Sequence, residues 1–379
     1  MNILQITSAY LPDIGGVNTH MGDLCQYLTI KCNHRVDVLT FKPYSPHLPW
    51  IKTEKVNKKL TVFRKWWING HSFDKIEKYP LLSFLDISTG LIIYSFLYII
   101  KNHKKVDVIH AHGLNAAFAA MLLKTFFHKR VVISTHALYN LEKRPTLAKL
   151  IRWVLQDADV ILTLSETSRK EILGLGLPEK QVQRFTYWVD QSLFKPLDKK
   201  ECRKKLNLPN KFTAIFVGRF IPIKGINYII RLAKELPSIN FLMIGGGLME
   251  SYVEEQTKPL GNLFLYKNVK NTEMPLYYNS ADVCLVPSLY EEGYARVMCE
   301  SMSCGLPVFG SKRGCIIEAV NSKVGRLIEP KYINFKKALI DIYGKPSERR
   351  ILAKNAFYYS RKIYSEANAQ AIVNQYYDA

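Results

Sequence analysis

The chain of 379 residues is predicted to be an α/β protein built from two Rossmann-like, doubly wound domains that face each other across a cleft. Three observations predict this. Short β-branched runs alternate with amphipathic stretches from the N-terminus onward. The alternation breaks once, over residues 190–211, which are polar, lysine-rich and contain Pro196 and Pro209. It then resumes, and glycines sit at strand-to-helix junctions in both halves.

In the first half, strands are predicted over 3–7, 36–40, 106–110, 131–135, 160–164 and 182–185 from their Val, Ile and Leu runs. Between them fall helical patterns over 17–29, 81–101, 115–127 and 148–156, and a helix opening at the capping residue Ser165 or Thr167. Segment 81–100 is as long as a bilayer span, but Asp86, Ser88, Thr89 and Gly90 lie in its middle and a strand follows soon after. A helix packed on a sheet is therefore expected there. In the second half, strands are predicted over 213–217, 241–244, 263–266, 283–287 and 308–310, with helices over 226–235, 249–256, 274–279 and 295–303. The expected domains are 1–190 and 211–355 with a linker at 191–210, and a terminal helix within 356–379 crossing back to the first domain.

An apolar content of 48% excludes a disordered chain, and no repeat period points to a solenoid or propeller. Lys and Arg total 53 against 32 Asp and Glu, a net charge of +21. Such an excess draws polyanions: nucleic acid, an anionic membrane or phosphorylated small molecules. No nucleic-acid-binding motif is present, so nucleic acid is not an expected partner. The seven cysteines contain no C-x-x-C pair and read as reduced, buried thiols. The N-terminal apolar run leads into Pro12-Asp13 with no small-residue cleavage site, so a cytoplasmic protein is expected.

Chemistry is suggested at four places. Gly15-Gly16, before a helix, lets backbone N–H groups approach a phosphate, although the full G-x-G-x-x-G fingerprint is absent and a plain tight turn is the rival reading. Arg219 and Lys224, after the strand 213–217, can clamp a diphosphate and stabilise it as a leaving group, or be solvated loop cations. In VPSLYEEGYARVMCESMSCGLPVFGSKRGCIIE, Glu292 and Glu300 are separated by seven intervening residues, which suits two contacts on one ligand: sugar hydroxyls at Glu292 and a ribose at Glu300. A buried structural glutamate is the rival at 300. His110, His112 and His136 lack a carboxylate-plus-histidine metal motif, and His110 is expected to point into the sheet in alternation with His112.

PSLYEEGYARVMCESMSCGLPV resembles the Glu–seven residues–Glu signature of retaining glycosyltransferases with the GT-B fold, in particular the group 1 transferases of family 4. The likeness extends through Gly15-Gly16, residues 108–112, 134–136, 158–162 and 189–196, Gly218-Arg219, Lys224-Gly225 and residues 245–247. The resemblance implies a hexosyl transfer from a nucleoside-diphosphate sugar, with no cofactor and no metal, because the cations neutralise the diphosphate. It places Gly15 and Gly16 beside that diphosphate and His136 near the reacting carbon. Arg219 and Lys224 become the clamp, Glu292 a ligand of the sugar and Glu300 of the ribose. Gly293, Tyr294 and Ala295 belong to the donor loop, the backbone near Val269 meets the base, and His112 lines the acceptor side. No carboxylate is assigned as a nucleophile, in keeping with the same-face substitution usually proposed for the family.

Three departures from the family pattern stand out. Ala295 replaces a glycine, and its methyl is expected to restrict the backbone and its approach to the donor. Tyr187-Trp188-Val189-Asp190 replaces Asn-Gly-Val-Asp before the linker, where hinge flexibility is expected to differ, and Gly314-Cys315 replaces a double glycine, which is expected to add a side chain near the phosphate or sugar.

Between residues 51 and 78, eight basic residues are interleaved with aromatics. Lys65, Trp66 and Trp67 are expected to meet anionic lipid headgroups from an insertion in the acceptor-binding domain, the rival being a solvated loop packed on its own aromatics. Together these readings predict a retaining hexosyltransferase acting on a lipid-linked acceptor or a cell-surface glycan precursor, peripheral on the inner face of the plasma membrane. A same-fold sugar-nucleotide epimerase and a non-catalytic nucleotide- or polyanion-binding protein are the alternatives.

Overall fold

The computed structural model describes residues 1–13, 15–44, 50–67 and 80–377. The chain divides into two compact units, one formed by Met1–Phe185 with Asn368–Ala379 and the other by Thr186–Ala367.

The first unit is built on an eight-stranded sheet: β1 (Asn2–Thr7), β2 (Arg35–Phe41), β3 (Thr53–Lys55), β4 (Leu60–Lys65), β5 (Val108–His112), β6 (Arg130–Thr135), β7 (Val160–Thr163) and β8 (Val182–Arg184). Their spatial order is β3-β4-β2-β1-β5-β6-β7-β8, parallel except for the β3–β4 pair. The helices are α1 (Gly16–Gln26), α2 (Pro80–Asn102), α3 (Leu114–Phe127), α4 (Pro145–Leu155) and α5 (Glu166–Leu173). Ser165, one of the two residues expected to open α5, accepts from Ser168 N. Strand alternation gives the sheet two unlike faces. Leu4, Ile6, Ile109, Ala111 and Ile133 belong to a dry core shared with α2, α3 and α4. Gln5, His110 and His112 project from the other face, where register pairs Gln5 with His110 and Thr7 with His112.

Several expectations are corrected. His110 and His112 are two residues apart on one strand and so share a face, with ring centroids 4.1 Å apart. The basic stretch expected as a surface insertion supplies β3 and β4, and β4 pairs with β2 in the body of the sheet, with Leu60, Val62 and Arg64 buried. The remainder of that basic cluster, residues 68–78, lies outside the described residues. Of the membrane candidates, Lys65 and Trp66 are exposed, but Trp67 stacks on Phe41 at 6.1 Å. A side chain at Gly90 of α2 would come within 2.7 Å of the Trp67 ring, so this tryptophan is wedged between sheet and helix.

The second unit is an all-parallel six-stranded sheet: β9 (Thr213–Val217), β10 (Asn240–Ile244), β11 (Leu263–Tyr266), β12 (Val283–Val286), β13 (Val308–Ser311) and β14 (Gly325–Ile328). Their order is β11-β10-β9-β12-β13-β14. Its helices are α6 (Lys199–Lys205), α7 (Ile226–Glu235), α8 (Glu250–Thr257), α9 (Met274–Ser280), α10 (Arg296–Ser303), α11 (Ile316–Ala319), α12 (Tyr332–Tyr343) and α13 (Pro346–Ile363). Residues 191–210 are part of this unit and do not form a linker. Asp198 caps α6 by accepting from Glu201 N at 2.8 Å, and Arg203 meets buried Asp282 at 2.6 Å and donates to Ser280 O. The expected terminal helix is two: α13 ends at Ile363, and α14 (Ala367–Asn374) carries the chain back into the first unit.

Candidate functional site

In a doubly wound sheet, ligands collect outside the carboxyl ends of the strands where the winding reverses. In the second unit that reversal lies between β9 and β12. The loop after β9 carries Arg219 and Lys224, and the loop after β12 carries Ser288, Tyr290 and Glu292. Backbone chemistry stitches the two loops together: Leu289 N donates to Ile223 O at 2.8 Å. Gly225, at φ +76°, lies so near the end of β12 that a Cβ would sit 2.2 Å from Pro287 O. Only glycine permits this approach.

The stitched loops bring Lys224 Nζ to 2.5 Å from Glu292 Oε1. Ser288 Oγ donates to the same oxygen, and Tyr290 Oη donates to Oε2 at 2.8 Å. Lys224 also lies over the Tyr290 ring, 5.0 Å from its centroid. Burial, then the Glu292 charge, push the Tyr290 hydroxyl well above its ordinary range, and Arg219 opposes the shift. Tyr290 therefore remains a donor. Of the roughly four acceptor positions on a carboxylate, these contacts fill three on Glu292, leaving one on Oε2. Arg219 is exposed. The Glu292 backbone is held from the far side by Cys315 N, which donates to Glu292 O at 2.9 Å. The Cys315 side chain is fully buried and so adds nothing at a ligand surface, contrary to the sequence expectation.

The remaining donor-loop residues divide. Ala295 caps α10 at φ −83° and ψ 106°, ordinary extended geometry, so its methyl brings no backbone strain. The Tyr294 ring is turned into an aromatic cluster: its Oη lies 3.0 Å from that of Tyr364, and Tyr187 contacts its ring edge. Gly293 stays partly exposed between them, and Val269 is partly buried after β11. Glu300 is buried, with Oε1 receiving Arg296 Nε at 2.9 Å and Oε2 receiving Tyr278 Oη at 2.8 Å. Arg296 also donates to Trp188 O, and Val189 N donates to Tyr364 O, so the divergent segment at 187–190 is strapped to its own unit.

In the first unit the winding reverses between β1 and β5. Gly15 and Gly16 follow β1, His112 ends β5, and His136 follows β6. Gly15 has φ 174°, which any residue adopts, and among the described residues a Cβ there would meet Asn18 at 3.5 Å, so no turn geometry demands glycine at this position. Behind the loop, His20 of α1 lies 5.8 Å from His136 between ring centroids. His112 Nε2 meets Gln5 Oε1 at 2.6 Å and must donate, since that oxygen only accepts. A neutral His112 then accepts at Nδ1, making His136 Nε2 the donor of the 3.1 Å bond between them. Tyr376, just beyond α14, meets Gln5 Nε2 at 3.4 Å and His110 Nδ1 at 2.7 Å, and His110 Nε2 meets Ser134 Oγ at 2.8 Å. The Gln5 contact thus fixes the tautomer of a neutral His112, whereas the two hydroxyls that meet His110 suit either of its tautomers. Among the described residues no group of His, Cys, Asp and Glu could hold a metal ion.

Burial depresses His110 and His136 to about 3 and His112 well below its ordinary value. An unfolded chain binds these protons near pH 6.5. From pH 6.5 down to about 3 the unfolded state holds more protons than the folded state, so stability present above this window is lost on acidification. Urea titrations should show about 2 kcal/mol lost between pH 7 and 5 for fully buried His110, with His136 adding to it. An unchanged midpoint would contradict a neutral cluster.

The sequence did not single out Ser288, Tyr290, Arg296, Tyr278, Gln5 or Tyr376. Arg296 was visible in principle, one helical turn before Glu300. Gln5 and Tyr376 were not, being 371 residues apart.

With both reversal points described, comparison with known proteins decides the family. Residues 14–192 match the model of Glycosyltransferase Family 4, and residues 198–358 match that of Glycosyl transferases group 1. The chain belongs to the group 1 glycosyltransferases. This glycosyltransferase is 26% identical over 353 residues to an uncharacterized glycosyltransferase of Methanocaldococcus jannaschii, covering 87% of this chain and 86% of the relative. It is 22% identical over 392 residues to the phosphatidylinositol N-acetylglucosaminyltransferase gpi3 subunit of Schizosaccharomyces pombe, at coverages of 99% and 80%. The solved sucrose-phosphate synthase of Thermosynechococcus elongatus superposes with a TM-score of 0.81 at 21% identity, covering 99% of this chain and 98% of that one, which establishes a shared GT-B fold.

Proposed function

We propose that this glycosyltransferase moves a hexose from a nucleoside-diphosphate sugar to a lipid-linked acceptor, or to another precursor of a cell-surface glycan, with retention of anomeric configuration. The observation that carries the reading is the Lys224–Glu292 pair at the β9–β12 reversal, beside exposed Arg219. Two cations at one strand end match the charge of a departing diphosphate, which lets the reaction run without a metal. The open acceptor position on Glu292 suits one donor-sugar hydroxyl, and the arriving diphosphate would compete with Glu292 for Lys224. Neutral His136, following the family resemblance, is assigned to the sugar and His112 to the acceptor side. Retention follows the family resemblance, and with the Glu292 carboxylate held by three donors the assigned route is a same-face substitution and not a covalent glycosyl–enzyme intermediate. The lipid acceptor is supported by the phosphatidylinositol-modifying relative. A cytoplasmic site of action completes the reading.

Thermal unfolding against a panel of UDP-, GDP- and ADP-sugars tests it. A true donor at 100 times its Kd adds about 2.7 kcal/mol to stability. Lys224→Met should abolish the gain, and NMR of the product should give the donor's anomeric configuration. Stabilisation by none of the panel would defeat the proposal.

A further inference from the structure

We propose that the outer face of α2, extended by neighbouring side chains of α3 and α4, docks on the surface of an anionic lipid bilayer. The segment Phe84–Asn102 has a mean hydropathy of 1.5, yet only 28% of it is buried. A core helix of that composition would be covered. One face is: Leu91, Ser95 and Ile99 are buried at helical spacing on the side toward the sheet. Along the opposite face Leu82, Leu85, Ile93, Leu97 and Ile100 are 43–59% exposed. The stripe broadens sideways. Phe96 touches Phe126 of α3, which is 65% exposed. Phe84 touches Phe118, which touches Trp153 of α4, 56% exposed.

Charge selects the occupant. Exposed Lys101, Lys104 and Lys105 close the C-terminal end of α2, and exposed Lys149 and Arg152 accompany Trp153 on α4. A predominantly apolar face, interrupted by Asp86 and Thr89 in its N-terminal half, bordered by cations and carrying an indole, matches the layered chemistry of an anionic bilayer, acyl chains within and phosphates without. A second copy of this chain would bring another net charge of +21 against the same cations, so self-association is disfavoured. Crossing the bilayer is disfavoured as well: Tyr98 Oη donates to Asp37 Oδ2 at 2.5 Å and Tyr94 Oη to Trp66 O at 2.7 Å, which tie α2 to the sheet. The helix therefore lies in the interface plane. This replaces the docking patch expected at Lys65, Trp66 and Trp67, one of whose tryptophans is wedged inside.

The proposal is independent of the sugar chemistry, and flotation tests it without a transferase assay. The full chain is mixed with vesicles of phosphatidylcholine alone or doped with phosphatidylglycerol, with oligomeric state measured in parallel by light scattering. Expected is flotation with the doped vesicles, declining as salt rises. The triple variant Leu85→Gln/Leu97→Gln/Ile100→Gln should weaken binding more than about tenfold with an unchanged melting temperature, since these side chains face out. Lys101→Glu/Lys104→Glu/Lys105→Glu should weaken it too, and serves as the second measurement if the glutamine variant folds poorly. The proposal is overturned by wild-type protein that stays unbound at low salt, by variants that bind as wild type does, or by a wild-type dimer that the glutamine substitutions dissociate.

Discussion

Lys224→Met is expected to lower transferase turnover by about 10²–10³-fold, the range seen when one preorganised electrostatic contact to a transition state is lost. Glu292→Gln should have an effect of similar size, through loss of a charge-assisted bond to the sugar. The two effects should not add. Lys224 and Glu292 are 2.5 Å apart and share Tyr290, so removing either releases the other from its position. The Lys224→Met/Glu292→Gln double variant should be little worse than either single variant. Steady-state kinetics with a donor identified by thermal unfolding provides the test. Single-variant losses below threefold, or losses that multiply fully in the double variant, would mean that the pair is structural and that the clamp lies elsewhere.

The second large effect concerns stability. Arg296→Met should cost about 3–5 kcal/mol, because it leaves the Glu300 carboxylate buried without its cation. Adding Glu300→Gln removes the stranded charge while keeping an acceptor for Tyr278, so the double variant should recover most of the loss. Urea unfolding of the three variants reads this directly. If Arg296→Met costs less than 1 kcal/mol, the ion pair is dispensable and the Glu300 oxygens are available to a ribose. If the cost is as large as expected, a ribose must either share those oxygens or displace Arg296.

Much of the fold was legible because it rests on local pattern. The β-branched runs, the helical spacing and the interruption near 190 are all short-range signals, and most predicted strands match observed ones within two residues. The failures have identifiable causes. β3 and β4 were hidden because their short runs, TEK and LTVFRK, lie among Lys52, Lys58 and Lys59, and the stretch looks by composition like a solvated basic loop. The 191–210 stretch looked like a linker because Asp282, the partner that holds Arg203 and Lys199, lies some 80 residues away in sequence. Ala295 looked like a backbone restriction, but the observed φ is one that any residue adopts.

The candidate site divides in the same way. Candidates for a diphosphate and a sugar could be named before folding, since charge type, glycine placement and the spacing of Glu292 and Glu300 are written in one dimension. How those groups are engaged depends on three-dimensional packing. It pairs Lys224 with Glu292 through loops that meet because β9 and β12 are neighbours across a reversal of winding. It locks Glu300 with Arg296 and Tyr278, and links His136 through His112 and Gln5 to Tyr376 near the chain's end. It also leaves one face of an apolar helix uncovered, which hydropathy cannot distinguish from a buried one. The physical reason is common to all four: burial and pairing are properties of neighbours in space, and the neighbours here come from distant parts of the chain.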